Sequence, residues 1–267
     1  MKKVMAGTMV IVSASLLQAQ PAAAKADPIR ALKAQFVAGQ GVKFKTVQQV
    51  RVKGGHGSVT QEIGVIQFGA KGAVASDLTK KMRYDKGFFD DSKKDEREMR
   101  KTLEAPGRVI AMPKAAYMQG RWAGEGLPEG KSWVRKRPIP PVPDGIIISV
   151  FEPDTVRALI ARADSVRGGV VKGSTTSAKM AALSPVFRKQ YGPGGKSESG
   201  QISKITYAFS LNKEGLVTRL HVTMKMPVPG GTIVDHVADT RLYNWGAKVT
   251  VTAPRADQVI DEKDLKR

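Results

Sequence analysis

Between Ile205 and Met226 apolar side chains recur at every second position on either side of a turn. Ile205, Tyr207, Phe209 and Leu211 share one face, Asn212-Lys213-Glu214-Gly215 reverses the chain, and Leu216, Leu220, Val222, Met224 and Met226 share a face on the return. A period of two belongs to a half-buried strand. A slip of one residue would turn the whole apolar set to water, so the pattern itself fixes the register of this antiparallel pair. Further strands near 231–242 and 247–252 are expected to complete the sheet.

The same period appears earlier. Val42, Phe44, Val50 and Val52 alternate with Lys43, Lys45, Gln49, Arg51 and Lys53, a strand with one wet face. Gly54 to Gly57 turns the chain into a second strand from Val59 to Phe68, whose period is blurred, and Gly72 to Tyr84 supplies a third. Val109 to Met118 and Ser132 to Arg137 read as two more, joined by a glycine-bearing connection around Trp122 to Gly130. Helical signals are fewer. Asp27-Pro28 caps a short helix with Ile29, Leu32 and Phe36 on one side, and Pro153 starts another with the stripe Val156, Leu159, Ile160 and Ala163. Ser184-Pro185 repeats the cap before Val186 and Phe187. The run Asp90 to Lys101 carries both signs of charge, with Asp90/Lys94 and Glu96/Arg100 at the spacing of a solvated helix face. Pro138-Ile139-Pro140-Pro141-Val142-Pro143 has no regular hydrogen-bonding pattern available and reads as a linker or as a strap across one domain. The apolar run that follows, Gly145 to Phe151, needs burial.

At the N-terminus, Lys2 and Lys3 precede an uncharged stretch from Val4 to Leu17, followed by Ala22, Ala24 and Ala26. This is the anatomy of a secretory signal peptide cleaved after Ala24 or Ala26, so residues 1–26 are read as the signal and 27–267 as one domain outside the cytoplasm. The chain has no cysteine. Lipid attachment through cysteine is thereby excluded, and so are disulfides, which leaves stability to an ordinary core. The formal charge of +20 falls to +18 when Lys2 and Lys3 are removed. Such a balance suits an anionic membrane surface or wall polymer, and equally the plain solubility of a secreted protein. Nucleic acid is not expected, because export takes the chain away from it and no nucleic-acid module accompanies the basic residues.

Catalytic patterns are sparse. His56, His221 and His236 stand far apart with no metal-ligand spacing, no G-x-S-x-G elbow is present, and Gly192-Pro193-Gly194-Gly195 lacks the ending of a phosphate loop. Asp90-Asp91 and Asp95-Glu96 lie among lysines and read as exposed ion pairs. Neither cofactor nor metal is expected. Trp122, Trp133 and Trp245 fall near loop or strand ends, where they pack over a sheet edge or touch a membrane.

The segment Leu211 to Leu220, then Asp239-Thr240-Arg241-Leu242-Tyr243-Asn244-Trp245-Gly246-Ala247-Lys248-Val249, Val251 and Ala253-Pro254, resembles the closing part of actinobacterial secreted proteins and lipoproteins of the LppX and LprG type, within the LolA-like superfamily. The resemblance extends through the order of elements over nearly the whole mature chain. It implies an α+β fold, a strongly curved antiparallel sheet or half-barrel with helices packed on its concave face and an apolar cavity between the layers. It also implies a non-enzymatic role in carrying lipids or acyl chains. The missing lipid-modified cysteine departs from the lipoprotein branch.

Placed on that frame, the residues expected to line an apolar ligand cavity are Phe36, Phe44, Phe68, Val156, Leu159, Ile160, Tyr207, Phe209, Met224 and Met226. For any single one of them, sealed core is the stronger reading. The expected protein is an exported monomer that binds a lipid or acylated molecule, with Pro138 to Phe151 a candidate lid. The alternative is an envelope or wall-binding protein that acts through charge without a small ligand.

Overall fold

The computed structural model describes residues 26–124, 126–195, 200–227 and 232–265. The signal segment read at 1–26 lies outside the described residues except for Ala26. Asp27 caps α1 (Pro28–Ala34), its Oδ1 accepting from the Ile29 and Arg30 amides. Three long strands follow, β1 (Gln40–Val52), β2 (Gly57–Gly69) and β3 (Gly72–Tyr84), and then α2 (Lys94–Glu104). Three short strands come next: β4 (Gly107–Ala111), β5 (Ala116–Gly120) and β6 (Trp133–Lys136). After an irregular strap over 138–151 the chain forms α3 (Pro153–Ala161), β7 (Ser165–Arg167), β8 (Val170–Thr176), α4 (Ser177–Leu183) and α5 (Pro185–Tyr191). The last strands are β9 (Lys204–Leu211), β10 (Val217–Pro227), β11 (Ile233–Lys248) and β12 (Val259–Asp261).

The twelve strands among the described residues belong to one open sheet in the order β12-β6-β5-β4-β3-β2-β1-β11-β10-β9-β8-β7. The fold is α+β, a curved sheet with helices on its concave side, as the sequence led us to expect. One large core fills that side. It joins the inward residues of β1, β2 and β8 to β11 with Leu32 of α1, Val156 and Leu159 of α3, Met180 of α4, Phe187 of α5 and the strap's Ile146, Ile147, Ile148, Val150 and Phe151. A smaller cluster lies on the convex side, where Val249 and Val251 cover Ala75, Ile110 and Trp133.

Several expectations need correction. The sheet is not wholly antiparallel, because the chain after β11 crosses the convex face and adds β12 parallel to β6. Val109 to Met118 is a hairpin, with the Met112 amide bonded to the Ala115 carbonyl (2.9 Å) at its turn. The two strands expected near 231–242 and 247–252 are one strand, β11. Asn244 (φ 55°) and Gly246 (φ 75°) redirect it near its end without breaking it, and residue 249 onward leaves the ladder. A bulge between Val217 and Arg219 takes Leu216 out of the regular alternation of β10. The charged helix α2 has no buried residue, as expected of a solvated helix, but its pairs differ: Lys93 meets Asp90 and Glu96, Lys101 meets Glu98, and Arg100 reaches Asp91. The hairpin β7–β8 and helix α4 carry too little apolar periodicity to be read from sequence.

Packing of α3 against the sheet depends on one buried hydroxyl. Tyr207 on β9 donates to the Leu159 carbonyl (2.8 Å), and Gly173 faces it on β8, where a Cβ would lie 2.3 Å from the phenolic oxygen. Tyr207→Phe removes this bond and leaves the carbonyl without its donor. The expected cost is about 1 kcal/mol, read as a lower urea midpoint at unchanged m value. An unchanged midpoint would show that the bond does not hold the helix.

Candidate functional site

The inward row that crosses the middle of the sheet changes character halfway. From Phe209 it passes to Leu220, Thr240, Thr46, Glu62 and Lys80, each opposite the next in register. Thr46 and Thr240 join by a hydroxyl hydrogen bond of 2.9 Å. Glu62 is fully buried and Lys80 nearly so. This inversion explains the blurred period of β2, whose inward positions are Thr60, Glu62, Gly64, Ile66 and Phe68 while Val59, Ile63 and Val65 face outward.

Lys80 Nζ lies 3.0 Å from Glu62 Oε1 and 2.9 and 3.0 Å from the two carboxylate oxygens of Asp144 on the strap. The strap is held twice more. The Gly145 amide donates to Glu62 Oε2 (3.2 Å), and Gln48 Nε2 donates to the Asp144 carbonyl (3.2 Å). Gly145 has no room for a side chain, since a Cβ would lie 2.2 Å from Glu62 Oε2. The Asp144 side chain stays 70% exposed, so the cluster reaches from the buried sheet to the molecular surface.

Burial is the largest influence on Glu62 and pushes its carboxyl up to about 8, with Asp144 adding to the rise and Lys80 opposing it. At neutral pH Glu62 is therefore protonated and able to donate a hydrogen bond to Asp144. Desolvation beside the buried sheet pushes Asp144 up despite its exposed side chain, but the charge and hydrogen bonds of Lys80 and the bond from Glu62 outweigh it and hold Asp144 below the usual carboxylate range. Burial pulls the Lys80 ammonium down, and its two carboxyl partners more than reverse this. The cluster thus holds one cation, one anion and one neutral acid. Two neighbours complete it: His236 on β11, lowered by burial, and Tyr191 on α5, raised by burial.

Beside the cluster is a cavity of about 320 Å³. Leu78, Val109, Ala111 and Met118 form its sheet wall, the strap's Ile139, Pro140 and Val142 form the opposite wall, and Glu62, Lys80 and Asp144 close one end. Trp122 also borders it, its ring 4.9 Å from Lys80 Nζ. The size is at the lower limit of small-ligand sites, and the pattern of apolar walls with a few convergent polar groups is theirs. Glu62 and Lys80 can donate hydrogen bonds and Asp144 can accept, but these capacities are largely used in holding the strap. Among the described residues no three His, Asp or Glu side chains form a metal-binding group.

None of the ten residues read from sequence borders this cavity. Phe44, Phe68, Val156, Leu159, Tyr207, Phe209 and Met224 are buried in the main core, and Phe36, Ile160 and Met226 pack against it. Phe68 is enclosed by the rings of Phe36, Phe151 and Trp245 at 5.5, 5.9 and 5.8 Å. Ile160 also borders a groove of about 430 Å³ with Pro28, Val171 and Leu211. The charged cluster was not singled out from sequence. Its signal was partial, as Lys80 lies on β3 between the inward Leu78 and Met82, whereas Glu62 lies on β2 between the inward Thr60 and Gly64. Of the histidines, His221 faces solvent beside Asp239 (3.5 Å), as expected, and His236 is buried, its Nε2 without a hydrogen-bond partner among the described residues.

No protein-family model matches the chain, and no curated protein does. Among solved structures, a LolA superfamily protein from Nitrosomonas europaea is similar at 9% identity and a TM-score of 0.31, over 81% of this chain and 92% of that one. A porin-like protein from Bacteroides uniformis ATCC 8492 is similar at 7% identity and a TM-score of 0.26, over 78% of this chain and 98% of that one. At these scores neither likeness bears on the site.

The protonation of Glu62 makes stability depend on pH. Its folded-state value lies above the ordinary 4.5, so its contribution is complete below that value and is lost as pH rises towards 8. His236 has the opposite sign, its folded-state value lying below the ordinary 6.5, and its slope fades as pH rises above that value. Asp144 and Lys80 keep their charges throughout the interval. Between pH 6.5 and 8 unfolding free energy should therefore fall by up to about 1.4 kcal/mol per pH unit. Glu62→Gln is expected to flatten that interval in urea titrations. A slope that survives the substitution would place the proton on another group.

Proposed function

We propose that this is an exported, non-enzymatic binding protein that takes a lipid or acyl chain into the space between its curved sheet and the strap, in the manner of the LppX and LprG type of carrier. The observation that carries the reading is the 320 Å³ cavity with apolar walls, closed at one end by the Lys80–Asp144 pair that holds its cover. The continuous sheet supports treating residues 27–267 as one domain, and we place it outside the cytoplasm as a monomer without cofactor.

Magnitudes set how a ligand is accommodated. The apolar run Ile146 to Phe151 lies on the sheet where a long chain would lie, and each of its large side chains contributes about 1.5–3 kcal/mol by burial. An acyl chain of about ten methylenes, at about 0.8 kcal/mol each, returns an amount comparable to the lower end of that total. A short chain therefore occupies the existing cavity, between Met118 and Val142. A long one replaces part of the run and reaches the deeper set of Phe36, Phe44, Phe68, Val156, Leu159, Ile160, Tyr207, Phe209, Met224 and Met226.

Mass spectrometry of organic extracts from protein purified without detergent is the test. The wild type should yield a stoichiometric acyl-bearing molecule. Met118→Trp, which fills the cavity from its sheet wall, should lose most of it at little change in melting temperature. A clean wild-type extract from folded protein, or equal cargo in the filled variant, would contradict the assignment.

A further inference from the structure

The outward face of the sheet carries an arrangement that folding alone does not favour. Arg219 on β10 stands directly opposite Arg241 on β11, and Arg241 directly opposite Lys45 on β1, a row of three cations across three neighbouring strands. Like charges in such positions repel and destabilise a sheet. Asp239 relieves only one of them, holding Arg219 through three bonds of 3.2, 3.0 and 2.6 Å. Lys45 and Arg241 have no carboxylate partner among the described residues, and together with Val47 they border a shallow depression that also includes Arg219 and Asp239. Lys43, Arg51 and Lys225 extend the patch along the strands. Asp235 is the other acid within it.

We infer that this convex face is a docking surface for an anionic lipid bilayer. Charge complementarity calls for a partner rich in phosphate, and the apolar residues on the same face select a bilayer over a hydrated polymer. Ile63 (43% exposed) stands opposite Lys45 in the same cross-strand row, and Tyr243 (42% exposed) stands opposite Lys43. Cations meet lipid phosphates while an isoleucine and a tyrosine enter the boundary between headgroups and chains. The surface lies on the opposite side of the sheet from the cavity, and the inference does not depend on the cavity's contents.

The test is co-sedimentation of the purified protein with vesicles of phosphatidylcholine, with and without phosphatidylglycerol, at low salt. Binding should require the anionic lipid and decline as salt is raised. Lys45→Gln with Arg241→Gln should lower partitioning about thirtyfold, without loss of melting temperature because it also relieves repulsion. Lys179→Gln with Lys189→Gln, the same charge removed on the helical side, should change it by less than about threefold. Ile63→Ser should weaken vesicle binding and leave binding to soluble polyphosphate unaltered. Absence of vesicle binding, equal losses in the two double variants, or tighter binding to polyphosphate that is indifferent to Ile63, would overturn the inference.

Discussion

A buried carboxyl, a buried ammonium and a carboxylate at the surface hold this fold's least regular segment in place. Glu62 and Lys80 stand opposite each other on adjacent strands, so their separation is set by the sheet. Asp144 comes from the strap. Charges removed from water are costly, and removing one partner of a buried pair costs about 3–5 kcal/mol because the other is left uncompensated. Keeping Glu62 protonated lowers that burden, since the cluster then contains a single ion pair. The strap cannot shift without separating Asp144 from Lys80 and breaking the Gly145 bond to Glu62.

Much follows from this anchor. With Asp144 and Gly145 fixed, the next residues are delivered to the concave face, where Ile146, Ile147 and Ile148 are fully enclosed. Phe151 then meets Phe68 and Trp245, and Trp245 in turn donates to the Val217 carbonyl (2.9 Å), connecting the strap to the far hairpin. Immediately after the strap, Glu152 accepts from the Ser184 hydroxyl and the Val186 amide (3.1 Å), so α3 and α5 are tied together at their starts. The proline-rich part of the strap arches over Leu78 and Val109 and encloses the cavity instead of filling it. A pinned segment with an unfilled space under one half and a dense core under the other is suited to admitting a ligand at the first half.

The sequence made the fold legible where period and turn chemistry agreed. The hairpin around Asn212 to Gly215, the caps at Asp27 and Ser184 and the wet face of β1 all follow from local patterns. It was less informative where one strand serves two environments. Along β2 the inward face is polar at Thr60 and Glu62 and apolar at Ile66 and Phe68, so no single alternation describes it, and the cluster was hidden in what looked like noise. The partner of Lys80 is 64 residues away in a segment without secondary structure. Only the register of β2 and β3 together with the path of the strap brings them together. The parallel β12 was hidden for a related reason, as its place depends on where the chain lands after crossing the convex face. The aromatic and methionine positions show the converse: their period was read correctly, but period cannot distinguish a wall that faces a cavity from one that faces packed side chains.

Glu62 stands as a protonated acid at neutral pH, and its proton lets the cluster hold the strap with a single ion pair. Carbon-13 NMR titration of the Glu62 carboxyl, with the Gly145 amide followed in the same samples, tests it directly. A midpoint of about 8 is expected, with the Gly145 resonance shifting over the same interval. A midpoint near the ordinary 4.5, with Gly145 unmoved at higher pH, would contradict it.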